Sequence, residues 1–148
     1  MTVHAQPALA AMPTIDDIRA AARRIDGLAR RTPLLESPAL NDKFGARLLF
    51  KPEVLQRTGS FKFRGAYNKI ASLTEEERTR GVVAFSSGNH AQGVAAAAQL
   101  FGIRAVIVMP TDAPAIKADN VRAMAAEIVP YDRYRDDREG VAHPYVEK

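Results

Sequence analysis

Two short polar runs in this 148-residue chain carry side chains able to do chemistry. The first is Ser60-Phe61-Lys62-Phe63-Arg64-Gly65-Ala66. Ser60 suits a helix N-cap, which puts Lys62 in the first helical turn. The helix dipole disfavours a cation there, and Arg64 adds a second positive charge. Both effects push the amine toward its neutral, nucleophilic form. An ordinary lysine titrates near ~10.4, so a lowered value favours Schiff-base chemistry. The position equally suits a lysine that extends into water.

The second run is Ser86-Ser87-Gly88-Asn89-His90, between an apolar stretch and a helix start. Unpaired N–H groups at a helix N-terminus attract a carboxylate or phosphate. Gly88 permits a tight turn and close backbone approach, while Ser and Asn add donors. The same string also reads as a plain N-capping loop. His90 caps or packs, because a metal role lacks partner histidines at useful spacing.

Both runs need elements to hold them. Thr14 and Asp17 have capping-box spacing, and Ile15, Ile18, Ala22, Ile25 and Ala29 recur on one helical face, which predicts a helix over 15–29. Arg31-Thr32-Pro33-Leu34 forces an extended stretch. A short helix ends at Gly45. Residues 48–50 read as a buried strand closed by Pro52, and 61–73 as a helix with Phe63, Ala66, Ile70 and Leu73 inward. Thr74 and Glu77 start another short helix. Val82-Val83-Ala84-Phe85 reads as a strand buried on both faces. A helix over 91–101 stops at Gly102, a strand follows over 103–109, then a helix over 114–126 and a strand from 127. Strands alternating with helices predict an α/β fold: a three-layer open parallel sheet of about four strands with helices on both faces. Ligands of such sheets bind beyond the carboxyl ends of the strands, where both polar runs lie. Residues 1–13 read as a loose arm, 14–137 as the ordered region and 138–148 as an irregular tail holding Gly140, His143 and Pro144.

Composition narrows the classes. Hydrophobic residues make up 47% and charged residues 26%, as in ordinary globular chains. No run of about 18 apolar residues occurs, so no membrane span is expected. Cysteine is absent, which removes disulfides and thiolate metal sites and leaves a cytoplasmic default. The net charge is +4, but Glu75, Glu76 and Glu77 interrupt the basic residues. Solvated helix faces, not a nucleic-acid surface, are the reading.

Together the two runs resemble the cofactor-lysine motif and the asparagine loop of the fold-type II pyridoxal-phosphate (PLP) enzymes, in the serine/threonine dehydratase family. Arg31-Thr32-Pro33-Leu34, Lys51-Pro52-Glu53 and Met109-Pro110 add to the likeness, which runs from about 14 to 137. The resemblance implies PLP as cofactor and a small amino acid as substrate. Lys62 would form the Schiff base and later act as base at the α-carbon. Phe61 would pack near the cofactor ring, and Asn89 would hydrogen-bond the ring hydroxyl. Ser86, Ser87, Gly88, Asn89 and His90 would hold the substrate. Ser87 matches the acid/base serine of the racemases.

The implied reaction is dehydration of a hydroxy amino acid such as L-threonine or L-serine to a 2-oxo acid and ammonia. Serine racemisation is the alternative. Intact members are commonly homo-oligomers. The family's glycine-rich phosphate loop and most of its larger domain have no counterpart in these residues, and the likeness fades from Gly140. A truncated chain, weak or inactive as an enzyme, or a non-catalytic remnant is therefore also expected. A nucleotide-binding domain would rest on the sheet alone, with no glycine-rich fingerprint to support it.

Overall fold

The computed structural model describes residues 12–146. The arm expected over 1–13 lies outside them except for Met12 and Pro13. Helix α1 (Ile15–Ile25) starts as its capping box dictates: Thr14 Oγ1 accepts the Asp17 N–H at 3.2 Å, and the Asp17 carboxylate accepts the Thr14 N–H at 2.7 Å. It ends four residues early, because Asp26 is extended and Gly27 has a φ of 70°. Leu28 and Ala29 still pack on the core, from a turn.

Strand β1 (Leu35–Glu36) and strand β2 (Leu49–Phe50) form a separate antiparallel ribbon, with Leu35 opposite Phe50, around helix α2 (Pro38–Phe44). Residues 48–50 were expected in the parallel sheet. They lie outside it: Leu48 is half-buried, and Leu49 and Phe50 keep 49% and 46% of their surface. Leu35–Glu36, just after the extended Thr32-Pro33-Leu34 segment, supplies an antiparallel partner nearby, whereas a parallel partner needs a longer crossover connection.

Two 3₁₀ turns, Glu53–Leu55 and Arg57–Gly59, lead into helix α3 (Lys62–Ser72). Helix α4 (Glu75–Thr79) opens on the expected capping box of Thr74 and Glu77. Then follow β3 (Val82–Phe85), α5 (Asn89–Phe101), β4 (Ala105–Pro110), α6 (Ala115–Ala123), β5 (Glu127–Tyr131) and α7 (Arg138–Val146). The parallel sheet has the order β3-β4-β5 among the described residues, three strands where about four were expected. Central β4 is buried throughout, as a strand covered on both faces must be.

Alternation along β4 sorts the layers. Ala105, Ile107 and Met109 join the cluster built by Phe63, Ala66, Tyr67 and Ile70 of α3 and by Ala91, Ala95 and Ala98 of α5. The alanine face of α5 lets α3 approach closely, and Tyr67 stacks on Phe101 at 4.8 Å. Helix α7 packs on β3 and β4, with Tyr145 and Val146 beside Val106 and the Arg138 guanidinium 4.5 Å from the Phe85 ring. The sheet thus has helices on both faces. The irregular tail expected over 138–148 is helical over Arg138–Val146. Its start is capped by the Asp137 carboxylate, which accepts the Glu139 and Gly140 N–H groups at 3.2 and 3.1 Å.

Candidate active site

The loop after β3 and the start of α3 meet at the carboxyl end of the sheet. Their meeting point is Gly93, one turn into α5. A Cβ there would lie 3.0 Å from the Lys62 carbonyl carbon and 3.1 Å from the Phe63 nitrogen, so any side chain here would have to force α5 and α3 apart by a few tenths of an ångström. Lys62 is the first residue of α3 and half-buried. Its ammonium lies 5.1 Å from the ring centre of Phe61, which is 59% exposed. Ser60 caps poorly: its Oγ accepts the Lys62 N–H at a long 3.4 Å, and the helix has no side-chain cap.

Arg64 does not act on Lys62 as expected. Its guanidinium grips the Glu53 carboxylate with two bonds, Nε to Oε2 at 2.7 Å and Nη2 to Oε1 at 2.8 Å, so its charge is compensated locally. Thr32 Oγ1 donates to the same carboxylate at 2.6 Å, Lys51 Nζ donates to the Thr32 carbonyl at 2.9 Å, and Arg64 Nη2 donates to the Arg30 carbonyl at 2.9 Å. Arg64, opposed by partial burial and helped by Thr32, holds Glu53 down at about 2. Buried Gln56 completes the knot, accepting from the Arg30 N–H and donating to its carbonyl, both at 2.8 Å. These bonds bind the 30–32 stretch and the Lys51-Pro52-Glu53 turn to the base of α3.

The approach to Lys62 is strained. Thr58 has a φ of 61° and Gly59 of 70°, two left-handed residues in succession. For Thr58 this conformation costs roughly 1–2 kcal/mol.

In the second run, Ser86 is tied inward. Its N–H donates to the Val108 carbonyl at 3.0 Å, and its Oγ accepts from the Gly88 and Ala91 N–H groups at 3.2 and 3.1 Å. The N–H groups of Ser87, Asn89 and His90 have no hydrogen-bond partner among the described residues. Gly88 does not make a left-handed turn, since its φ is −161°. A Cβ there would meet nothing within 4 Å, so the glycine leaves the loop's open side clear. Ser87, Asn89 and His90 are exposed. Partial burial, then the charge of Lys62, pushes the His90 imidazole below its usual value, so it is neutral at neutral pH. Asn89 Oδ1 accepts from Lys117 Nζ of α6 at 2.8 Å.

The structure therefore brings together Lys62, Phe61 and the 86–90 loop. The sequence reading missed Glu53, Arg64, Gln56 and Lys117 as supports. Glu53 and Arg64 each left a signal, within the Lys51-Pro52-Glu53 and Ser60–Ala66 runs, but nothing local paired the one with the other. Among the described residues no group of three or more His, Asp or Glu side chains could hold a metal, and no helix is long and apolar enough to cross a membrane.

Known proteins resemble this chain over most of its length. The chain is 52% identical over 132 residues to an L-threo-3-hydroxyaspartate ammonia-lyase of Pseudomonas sp., covering 89% of this chain and 41% of that protein. It is 54% identical over 118 residues to the L-threonine ammonia-lyase of Thermotoga maritima, covering 80% and 29%. The maize serine racemase structure superposes with a TM-score of 0.84 at 44% identity, over 90% of this chain and 40% of that one. The chain thus spans well under half the length of these relatives. The family model described as "Pyridoxal-phosphate dependent enzyme" matches residues 25–148, beyond Gly140, where the likeness was expected to fade. With the α/β sheet of the fold-type II structures, a lysine at its carboxyl end and a match over most of its length, this chain belongs to the family of pyridoxal-phosphate-dependent enzymes.

Proposed function

We propose that this chain carries the cofactor-lysine region of an amino-acid lyase, with Lys62 as the residue that bonds PLP and a hydroxy amino acid such as L-threonine or L-serine as substrate. The observation that carries the reading is the contact at Gly93, which sets a half-buried lysine beside a loop whose free groups are mainly donors.

The residues present fit such a cofactor. Gly88 leaves open space over the loop, and Phe61 offers an exposed aromatic face beside Lys62 Nζ. When bound, PLP supplies an electron sink that stabilises negative charge at the substrate α-carbon. The protein's part is orientation and proton handling. Lys62 Nζ removes the α-proton. The unpartnered N–H groups at the start of α5 receive the substrate carboxylate, where the helix dipole favours negative charge. Ser86 holds the loop in shape, Asn89 would donate to a ring oxygen of the cofactor, and His90 would orient the substrate without adding charge.

A racemase reading draws on one observation. The Ser87 hydroxyl is exposed and bonded by no described residue, so it is available to give a proton back to the α-carbon.

Adding PLP to the chain tests the cofactor assignment: a visible absorbance band present in the wild type and absent in Lys62→Ala is expected. With L-serine added, ammonia and 2-oxo acid indicate the lyase, and D-serine the racemase. Identical spectra for wild type and Lys62→Ala would overturn the reading.

A further inference from the structure

Asn89 carries an amide that by itself could serve a donor or an acceptor, since its oxygen and nitrogen differ little in size. Lys117 removes that ambiguity. An ammonium has three donors and no acceptor, so the amide atom 2.8 Å from Lys117 Nζ must be oxygen. Asn89 Nδ2 is then the atom left for a ligand. The contact belongs to a two-rung ladder between helices. One turn along each helix, Asn120 Nδ2 donates to Gln92 Oε1 at 2.8 Å, with Gln92 only 2% exposed. Residues 89 and 92 of α5 thus face 117 and 120 of α6, the spacing of neighbours on one helix face. The inner rung is amide to amide and has no inherent polarity. The outer rung has one, imposed by the lysine.

We propose that Lys117 is a positioning residue that fixes Asn89 as a hydrogen-bond donor, so that the loop after β3 selects a negatively charged oxygen. That oxygen comes from a substrate carboxylate or from the cofactor ring. The choice of ligands rests on the functional reading above; the lock between Lys117 and Asn89 does not. Without Lys117 the Asn89 amide would lose this preorganisation, and an arriving anion would have to turn and fix the amide itself.

The test uses ¹⁵N-labelled wild type, Lys117→Met, which keeps length and removes the donors, and Lys117→Arg, which keeps them. In the ligand-free chain, the heteronuclear NOE of Asn89 Nδ2 is high in wild type and Lys117→Arg and low in Lys117→Met, with backbone spectra otherwise alike. PLP and L-serine are then titrated separately. Lys117→Met weakens the probe that shifts the Asn89 Nδ2 signal by about fivefold, the scale of one charge-adjacent hydrogen bond, while Lys117→Arg stays within about twofold of wild type. A shift with PLP assigns the oxygen to the cofactor, and a shift with L-serine assigns it to the substrate. Equal Asn89 order in wild type and Lys117→Met overturns the proposal, as does unchanged affinity. Should Lys117→Met not fold, Lys117→Leu, which also lacks donors, serves the same comparison. If PLP leaves Lys62 unmodified in every variant, the functional reading fails, and the Asn89 order measurement still decides the role of Lys117.

Discussion

Gly93 of α5 meets the backbone of Lys62 in α3 so closely that a Cβ on residue 93 would stand 3.0 Å from the Lys62 carbonyl carbon. The atoms it would meet are main chain, which cannot swing aside as a side-chain tip can. Gly93→Ala must therefore push the start of α3 away from α5 by a few tenths of an ångström. Helix propensity favours alanine by about 1 kcal/mol, but overpacking costs about 1–3 kcal/mol. The expected net is a small loss of stability and a larger loss of PLP reaction at Lys62. Urea midpoints and adduct yields measured on the same preparations check it. Stability gained with reactivity unchanged would show that the contact sets nothing.

The Glu53–Arg64 pair gives a pH signature. In the folded chain Glu53 is held at about 2, below the ordinary value of 4.5, with Arg64 the main cause. A carboxylate lowered on folding stabilises the native state above its unfolded value and loses that contribution as pH falls through the folded value. The window is therefore between pH 4.5 and about 2. Glu53→Gln removes this part of the acid sensitivity and costs roughly 2–3 kcal/mol near neutral pH, because the half-buried Arg64 loses its charged partner. Urea unfolding at a series of pH values measures both effects. An unaltered slope in the acid window would contradict the assignment.

Ser86 is expected to act as a cap and loop tie. Ser86→Ala removes the acceptor of the Gly88 and Ala91 N–H groups, at a cost of about 1 kcal/mol. Amide exchange at Ala91 should speed up, while exchange within β4 stays slow. Unchanged exchange at Ala91 would mean that the hydroxyl does not hold the loop in solution.

How far these features could be read without coordinates depends on the range of the interaction. Thr14 with Asp17 and Thr74 with Glu77 are local pairs three residues apart, and both capping boxes form as expected. The run Ala105–Pro110 is apolar because both faces of the sheet are covered there, and that too is local information. Val82–Phe85 carries the same apolar signal and was expected to be buried on both faces, but it is the edge strand next to β4 and only half-buried, with Phe85 41% exposed. Residues 48–50 carry the same apolar signal at shorter length, and a short apolar run does not reveal which partner it will find. The final helix was obscured by Gly140 and Pro144, which are poor helix formers, although Asp137 is an ordinary cap. The two site motifs were legible as strings. Their supports were not: Glu53 with Arg64, Gln56 with Arg30, and Lys117 with Asn89 join residues 11 to 28 positions apart, and nothing in the local pattern pairs them.

The central claim is that Lys62, among all the lysines of the chain, is the one that bonds the cofactor. Its most direct test is to incubate the chain with PLP, reduce with borohydride and map the modified peptides by mass. A pyridoxyl group concentrated on Lys62 is expected, with Lys43, Lys51, Lys69, Lys117 and Lys148 modified only at background level. Modification spread evenly over these lysines, or concentrated on one of the others, would contradict it.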